Sequence, residues 1–358
     1  MTAGAEVPPD RVSAPVPYAA TVTAESTFPQ LDGVGATGIG SMPGTDAREA
    51  AKTVTGSLDA LPHLVELPAR GPGADMIGRS LGLLVELFAR VEPSGWRFGD
   101  RPGRDTRRAH SWLGEDLDAL EEFTQGRTGP LKVQAVGPWT LAASVELQRG
   151  EKALADPGAV RDLAGSLAEG LRLHLADLRR RVPGAPLLLQ LDEPSLPAVL
   201  AGRVPTASGW QRLRAVDRQV AEETLRTLIG SLDVPVAVHC CAPDVPLALL
   251  RRAGAAAVAV DAALLTERDD DAIGEAVEDG LVLLAGVVPS VGPALSDPAG
   301  SVGVVRTLWR RLGLDPALLA RHVVVTPSCG LAGATPAYAR LALSHSVTAA
   351  QSLTDNPE

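Results

Sequence analysis

The first residues in this chain that chemistry would use are a histidine and three cysteines. Val238-His239-Cys240-Cys241 places an imidazole and a thiol two residues apart. In an extended strand residues i and i+2 share a face, so His239 and Cys241 present together while Cys240 points away. Imidazole nitrogen and thiolate sulfur suit zinc, which takes about four tetrahedral ligands and accepts carboxylate as well. Cys329, in Ser328-Cys329-Gly330, and Asp261, at the end of another apolar run, would complete a set of His239, Cys241, Asp261 and Cys329. The spacing alone does not separate this from core packing, because a buried histidine beside small cysteines is commonplace.

Other polar groups stand at the ends of similar apolar runs. Asp192, in Asp192-Glu193-Pro194, follows Leu187-Leu188-Leu189-Gln190-Leu191 and offers an acceptor for an amine or hydroxyl. An acidic residue before proline also commonly does no more than cap a turn. In Ile39-Gly40-Ser41 the glycine lets a ligand approach the backbone while Ser41 and nearby N–H groups hold an anion; the plainer reading is a tight connection. Glu66 ends a further run, where a solvated loop charge is the alternative. An ammonium acceptor, a carboxylate cradle and a thiophilic metal together describe an amino acid bearing a thiol.

These groups need elements that bring them to one place. Eight short apolar runs occur, at 36–42, 62–67, 131–136, 186–192, 235–240, 256–261, 281–288 and 322–326. Between them lie stretches of helical period at 76–90, 114–125, 160–181, 210–232, 245–253, 304–312 and 336–353. Strand then helix, repeated, means parallel strands buried on both faces, and eight units predict an α/β fold of one (β/α)8 TIM barrel. Barrels of this kind carry their sites at the C-terminal strand ends, where the polar groups above fall. Residues 95–110 look like an excursion between the second and third units. Residues 1–30, rich in Ala, Pro, Ser and Thr, are expected to be a loose tail, leaving 31–358 as one catalytic barrel with no composition break inside it.

The 358 residues are 45% hydrophobic and 21% charged, as in a globular protein with a sizeable core, and the formal charge of −10 leaves no cationic surplus for nucleic acid or anionic lipid. No run approaches the roughly 18 apolar residues of a membrane helix. The N-terminus lacks the basic start and apolar stretch of a secretory signal, so a cytoplasmic location is expected. Three cysteines, two of them adjacent, cannot form a disulfide framework for this length.

Taken together, the segments resemble the C-terminal catalytic barrel of cobalamin-independent methionine synthase. IGSMPGT (39–45), GPWTLA (137–142), QLDEPSL (190–196), VHCCA (238–242) and TPSCGL (326–331) occur in that family's order, and the likeness covers nearly all of 36–355. The resemblance implies zinc on His239, Cys241, Cys329 and Asp261, the last where the family usually has glutamate, with reach shortened by one methylene. It implies homocysteine contacts at Ile39, Ser41, Glu66 and Asp192, and no catalytic residue beyond the zinc site. The activity implied is transfer of a methyl group to the homocysteine thiol to form methionine. Coordination would keep as thiolate a group whose free pKa is near ~8.5.

The family enzyme has a further, N-terminal half associated with folate, which the resemblance does not include. The loop 291–300, VGPALSDPAG, has no histidine where the family carries one associated with proton delivery to the departing folate nitrogen. The donor therefore stays open between methylfolate and a methylcorrinoid, delivered by a corrinoid protein or as free folate. Alternative readings are zinc-dependent alkylation of another thiol, a metal-free enzyme like uroporphyrinogen decarboxylase, and a non-catalytic metabolite-binding relative.

Overall fold

Six of the apolar runs become parallel strands of one curled sheet, in the order Leu131–Val136, Leu187–Asp192, Val236–Cys240, Ala257–Asp261, Val282–Val288 and Val323–Pro327. The chain is seen in a computed structural model that describes residues 31, 33 and 35–357; the expected tail at 1–30 lies outside the described residues. The first two runs are extended segments held by isolated bridges. Ala36 bridges Val325, Ser41 bridges Glu66, and His63 bridges Lys132. These link the two edges of the sheet, so the arrangement is TIM-like, with six regular strands and two irregular staves.

Alternation divides the strand residues between two cores. Leu131, Val133, Leu189, Leu191, Val238, Val258, Leu283 and Val325 face the helical layer and join its apolar residues. Ile39, Leu61, Leu188, Ala237, Ala257, Ala259, Val282, Leu284 and Val324 form a separate cluster inside the curl, together with Leu31. Both faces are dry, which is why the runs are nearly continuous in apolar residues rather than alternating.

Helix starts follow side-chain caps. Asp75 caps Met76–Leu83, Asp156 caps Pro157–Arg181, Asp217 caps Arg218–Gly230 and Thr335 caps Pro336–Asp355. Each accepts from an otherwise unsatisfied N–H of the first turn. Several sequence expectations are corrected by the structure. The helix expected at 76–90 stops at Leu83, Glu86 takes a left-handed φ of 61°, and Phe88–Glu92 pairs antiparallel with Gly95–Gly99. The helix expected from 114 begins at Arg104, so the 95–110 excursion is half hairpin and half helix. The one expected from 210 begins at Arg218, and helices Ala47–Ser57, Pro138–Ser144 and Asp270–Glu278 were not foreseen. Among the described residues no helix is long and apolar enough to cross a membrane.

Candidate functional site

The parallel register places Asp192 opposite His239, and their side chains meet with Nδ1 2.8 Å from Oδ1. His239 is only 4% exposed, and its other ring nitrogen, Nε2, is buried with no hydrogen-bond partner among the described residues. Cys241 follows on the same face just past the strand end, and Cys329 follows strand Val323–Pro327; the two sulfurs are 3.0 Å apart. Ligand atoms of His239, Cys241 and Cys329 all lie within 4.8 Å of one another. One orphaned imidazole nitrogen and two soft sulfurs fit a thiophilic ion such as zinc. Cys240 points to the outer core, where burial pushes its thiol up to about 12.

The charge state of the trio is set by its own hydrogen bonds. The hydrogen bond with Cys241 and the imidazole of His239 beside it pull the Cys329 thiol down to about 4, and the same contact with Cys329 holds the Cys241 proton in place. Burial opposes a charge on His239, but its bond to Asp192 and the neighbouring Cys329 sulfur lift it to about 9. The group thus keeps a thiolate against an imidazolium. A divalent cation entering it would take the place of those protons, since ligands bind metals deprotonated.

The expected substrate residues gather around the same mouth. Ser41 is drawn to the Cys329 loop because Leu331 N–H donates to the Ser41 carbonyl at 2.8 Å, and Gly330 leaves room there for the Ser41 hydroxyl, which a Cβ would push aside. Glu66, bridged to Ser41, is buried; burial pushes its carboxyl up to about 7, with Asp192 adding to the rise and Arg79 opposing it. Asp192 accepts at Oδ1 from both Gln190 Nε2 (2.7 Å) and His239 Nδ1, and no donor among the described residues reaches Oδ2. Ile39 is buried and its carbonyl is already taken, by Lys132 Nζ and Gln190 Nε2, each at 2.9 Å.

Asp261 stands apart from this gathering. Its Oδ1 accepts from Ala263 N–H at 3.0 Å, capping the short turn Ala262–Leu264, and the metal-capable group among the described residues does not include it. The short aspartate side chain favours that local bond, as at many helix starts.

Four polar residues at this level were not singled out from the sequence. Lys132, Gln134 and Gln190 alternate with apolar residues on two neighbouring strands, and all three are essentially buried. Their signal was present as inward parity: a charge and two amides in strands otherwise made of Leu, Val and Ala. Glu193 turns away from the mouth. Its Oε1 accepts from Trp139 N–H (2.9 Å), and its Oε2 accepts from Thr140 N–H (2.8 Å) and Thr140 Oγ1 (2.7 Å). It thereby caps Pro138–Ser144 from another strand, which is the plainer reading of the Asp-Glu-Pro segment realised for its second carboxylate; burial holds it up at about 7 against those bonds. An open groove of about 500 Å³ lined by Trp139, Val160, Val216 and Val220 lies in the helical layer and holds none of the metal-capable groups.

The sequence model of the family described as cobalamin-independent synthase, catalytic domain, matches residues 34–352. The chain is similar to the solved structure of a B12-independent methionine synthase from Shewanella sp. W3-18-1 in complex with selenomethionine, with 11% identity and a TM-score of 0.60 over 90% of this chain and 98% of that one. It is also similar to a methyltransferase from Methanosarcina mazei, with 15% identity and a TM-score of 0.52 over 92% of this chain and 91% of that one. At these identities the likeness speaks for the fold. A search of curated proteins finds no match.

Proposed function

Since the chain belongs to the family of cobalamin-independent synthase catalytic domains, we propose that it transfers a methyl group to the thiol of homocysteine, with zinc held by His239, Cys241 and Cys329. The observation that carries this reading is the buried Nε2 of His239 beside two sulfurs 3.0 Å apart, next to an Asp192 oxygen; neither that nitrogen nor that oxygen has a hydrogen-bond partner among the described residues. Residues 31–358 serve in this reading as one catalytic barrel of eight β/α units, the first two contributing irregular staves.

The bound metal would supply the positive charge that keeps an entering thiol as thiolate at neutral pH. The chain's own residues do the remaining work. His239 is oriented by its Nδ1–H bond to Asp192, the carboxylate–histidine pairing that fixes which nitrogen faces a metal. Asp192 Oδ2 and Glu66 take the substrate ammonium, and Ser41 with the N–H groups around it takes the carboxylate. Ser41 sits beside the Cys329 loop and Asp192 beside His239, so an amino acid spanning the two lies across the metal-capable group with its sulfur directed into it. Such placement is proximity catalysis. Asp261 remains a fourth ligand only if its carboxylate leaves Ala263. The absence of a histidine from 291–300 favours a donor with a better leaving group than an unprotonated folate nitrogen, a methylcorrinoid on a carrier protein.

Metal analysis of the wild type and Cys329→Ser, followed by cobalt substitution with and without homocysteine, tests the reading. The expected result is about one metal per chain, lost in the variant, with thiolate-to-cobalt bands that move when homocysteine is added. A metal-free wild type, or a metal protein whose spectrum ignores homocysteine, would overturn it.

A further inference from the structure

Lys132 lies deep in the barrel, fully buried, on strand Leu131–Val136. An ammonium there must be matched, since an unpaired buried charge is costly. Its Nζ donates to the Ile39 carbonyl at 2.9 Å and to Gln190 Oε1 at 2.7 Å. Gln190, also fully buried, uses its Nε2 on the Ile39 carbonyl (2.9 Å) and on Asp192 Oδ1 (2.7 Å). Asp192 Oδ1 then receives His239 Nδ1 at 2.8 Å.

The donor and acceptor roles in this chain run one way only. An ammonium has donors and no acceptor, whereas a carboxylate and a carbonyl have acceptors and no donor. An amide between them has a single satisfied orientation, oxygen toward Lys132 and nitrogen toward Asp192 and Ile39. Reversing it would set Oε1 against two acceptors and –NH2 against –NH3+. With the amide so fixed, both bonds converge on Oδ1, and Oδ2 is left for another donor.

We propose that Lys132 is a positioning residue that acts through Gln190: it fixes the amide's orientation, which aims Asp192 so that His239 keeps Nδ1–H and turns Nε2 to the metal, while Oδ2 stays open to the ammonium of an amino-acid substrate. Lys132 and Gln190 also hold the Ile39 carbonyl, and so tie the irregular stave that carries Ser41 to the strand that carries Asp192. The two ends of the amino-acid subsite are thereby held in register by a residue that touches neither substrate nor metal. This inference deepens the homocysteine reading and rests on it for the substrate half alone.

The test compares Lys132→Met, Lys132→Arg and Gln190→Glu with the wild type, each loaded with cobalt(II). Three quantities are read: the metal dissociation constant by chelator competition, the homocysteine dissociation constant from the cobalt spectrum, and the exchangeable Nδ1–H proton of the metal-bound histidine, shifted by the paramagnetic ion. Lys132→Met is expected to weaken metal binding about 10- to 100-fold, the usual effect of losing an outer partner of a ligand. It should also weaken homocysteine binding at least as much and speed exchange of the Nδ1–H proton. Lys132→Arg, which still donates, should recover most of each. Gln190→Glu, which sets a carboxylate against Asp192, should reproduce the Met variant with the lysine intact. A folded Lys132→Met protein with wild-type metal affinity and an unchanged Nδ1–H signal overturns the proposal, as does a wild-type Gln190→Glu should Lys132→Met fail to fold. If the wild type binds cobalt through His239 and ignores homocysteine, the homocysteine reading fails while the metal constant and the proton signal still decide the role of Lys132.

Discussion

If Asp192 holds an amino-acid substrate and orients a metal-binding His239, Asp192→Asn should separate the two roles. In the native site Oδ1 accepts two hydrogen bonds, from Gln190 Nε2 and His239 Nδ1, while Oδ2 accepts none from the described residues. An asparagine in the same rotamer puts its carbonyl oxygen at the Oδ1 position, because the reverse would set its –NH2 against two donors. Both inner bonds survive, with a neutral acceptor, and the –NH2 lands where Oδ2 was. A substrate ammonium then meets a donor instead of a carboxylate. Losing a charge-assisted bond in a largely buried site, with the partner charge left unmatched, costs about 2–5 kcal/mol. Taking about 3 kcal/mol gives a homocysteine affinity about 150-fold weaker, at 1.36 kcal/mol per tenfold. His239 keeps its orientation, so metal affinity should fall less than about tenfold, the low end for an altered outer partner. Isothermal titration of the zinc-loaded variant with homocysteine, beside chelator competition for zinc, reads both numbers. Unchanged homocysteine affinity would refute the placement of the ammonium on Oδ2. Loss of zinc with the fold intact would refute the view that Oδ1 alone supports the histidine.

Cys240→Ala should retain a full metal complement and Cys241→Ala should lose it, because only Cys241 shares the face of His239; equal retention by metal analysis would break the alternation argument. Glu193→Ala should destabilise the protein by about 4 kcal/mol in urea unfolding, three buried donors on Trp139 and Thr140 being orphaned at about 1–3 kcal/mol each with incomplete additivity. Glu193→Gln keeps two of the three acceptor contacts and should cost about half as much; no difference between the two variants would count against the cap. His63 is buried, and burial, with Lys132 adding to it, pulls its pKa down to about 3. Its folded value lies below the unfolded ~6.5, so its contribution is complete above pH 6.5 and is lost as pH falls toward 3. Relative to wild type, His63→Gln should therefore gain about 2 kcal/mol in unfolding free energy between pH 7 and pH 5, and a pH-independent difference would contradict the burial argument.

Much of this architecture was legible because parallel strands buried on both faces write themselves as unbroken apolar runs. Leu131–Val136 was read to the residue, and five other strands to within one residue at each end. The first two runs were readable as staves but not as irregular ones, since Gly38, Gly40 and the prolines beside them bend a chain without changing its hydropathy. Met76–Leu83 was overextended because Leu84, Leu87 and Phe88 keep a helical spacing, while the left-handed Glu86 that ends the run leaves no mark in the sequence. At the site, parity and strand ends lead to the expectation that Asp192, His239, Cys241 and Cys329 meet, and the structure brings them together. The local bond of Asp261 was not, because a strand-end aspartate can turn outward to a cap or inward to a ligand with the same neighbours.

The interior of the barrel is divided, and the division explains why the polar residues sit where they do. The strands from Val236 round to Pro327 fill it mostly with small or apolar side chains, Ala237, Ala257, Ala259, Val282, Leu284 and Val324, with Thr326 the polar member of the last strand. The neighbouring pair, Leu131–Val136 and Leu187–Asp192, adds Leu188 and the polar Lys132, Gln134 and Gln190. His239 stands on the boundary: its strand is apolar below it, and its register partner Asp192 is the last member of the polar set. A metal ligand at that seam has a dry wall on one side, which strengthens its bonds electrostatically, and a chain of directed donors on the other, which fixes its orientation. Moving the histidine one strand farther round would keep the dry wall and lose the carboxylate. The Asp-Glu-Pro segment serves this seam twice, because adjacent strand residues point oppositely. Asp192 closes the inner network on His239, and Glu193 anchors the helix Pro138–Ser144 outside it. One dipeptide thus couples the orientation of His239 to the packing of the helical layer, which is why Glu193, though it turns away from the mouth, should be less tolerant of change than its outward position suggests.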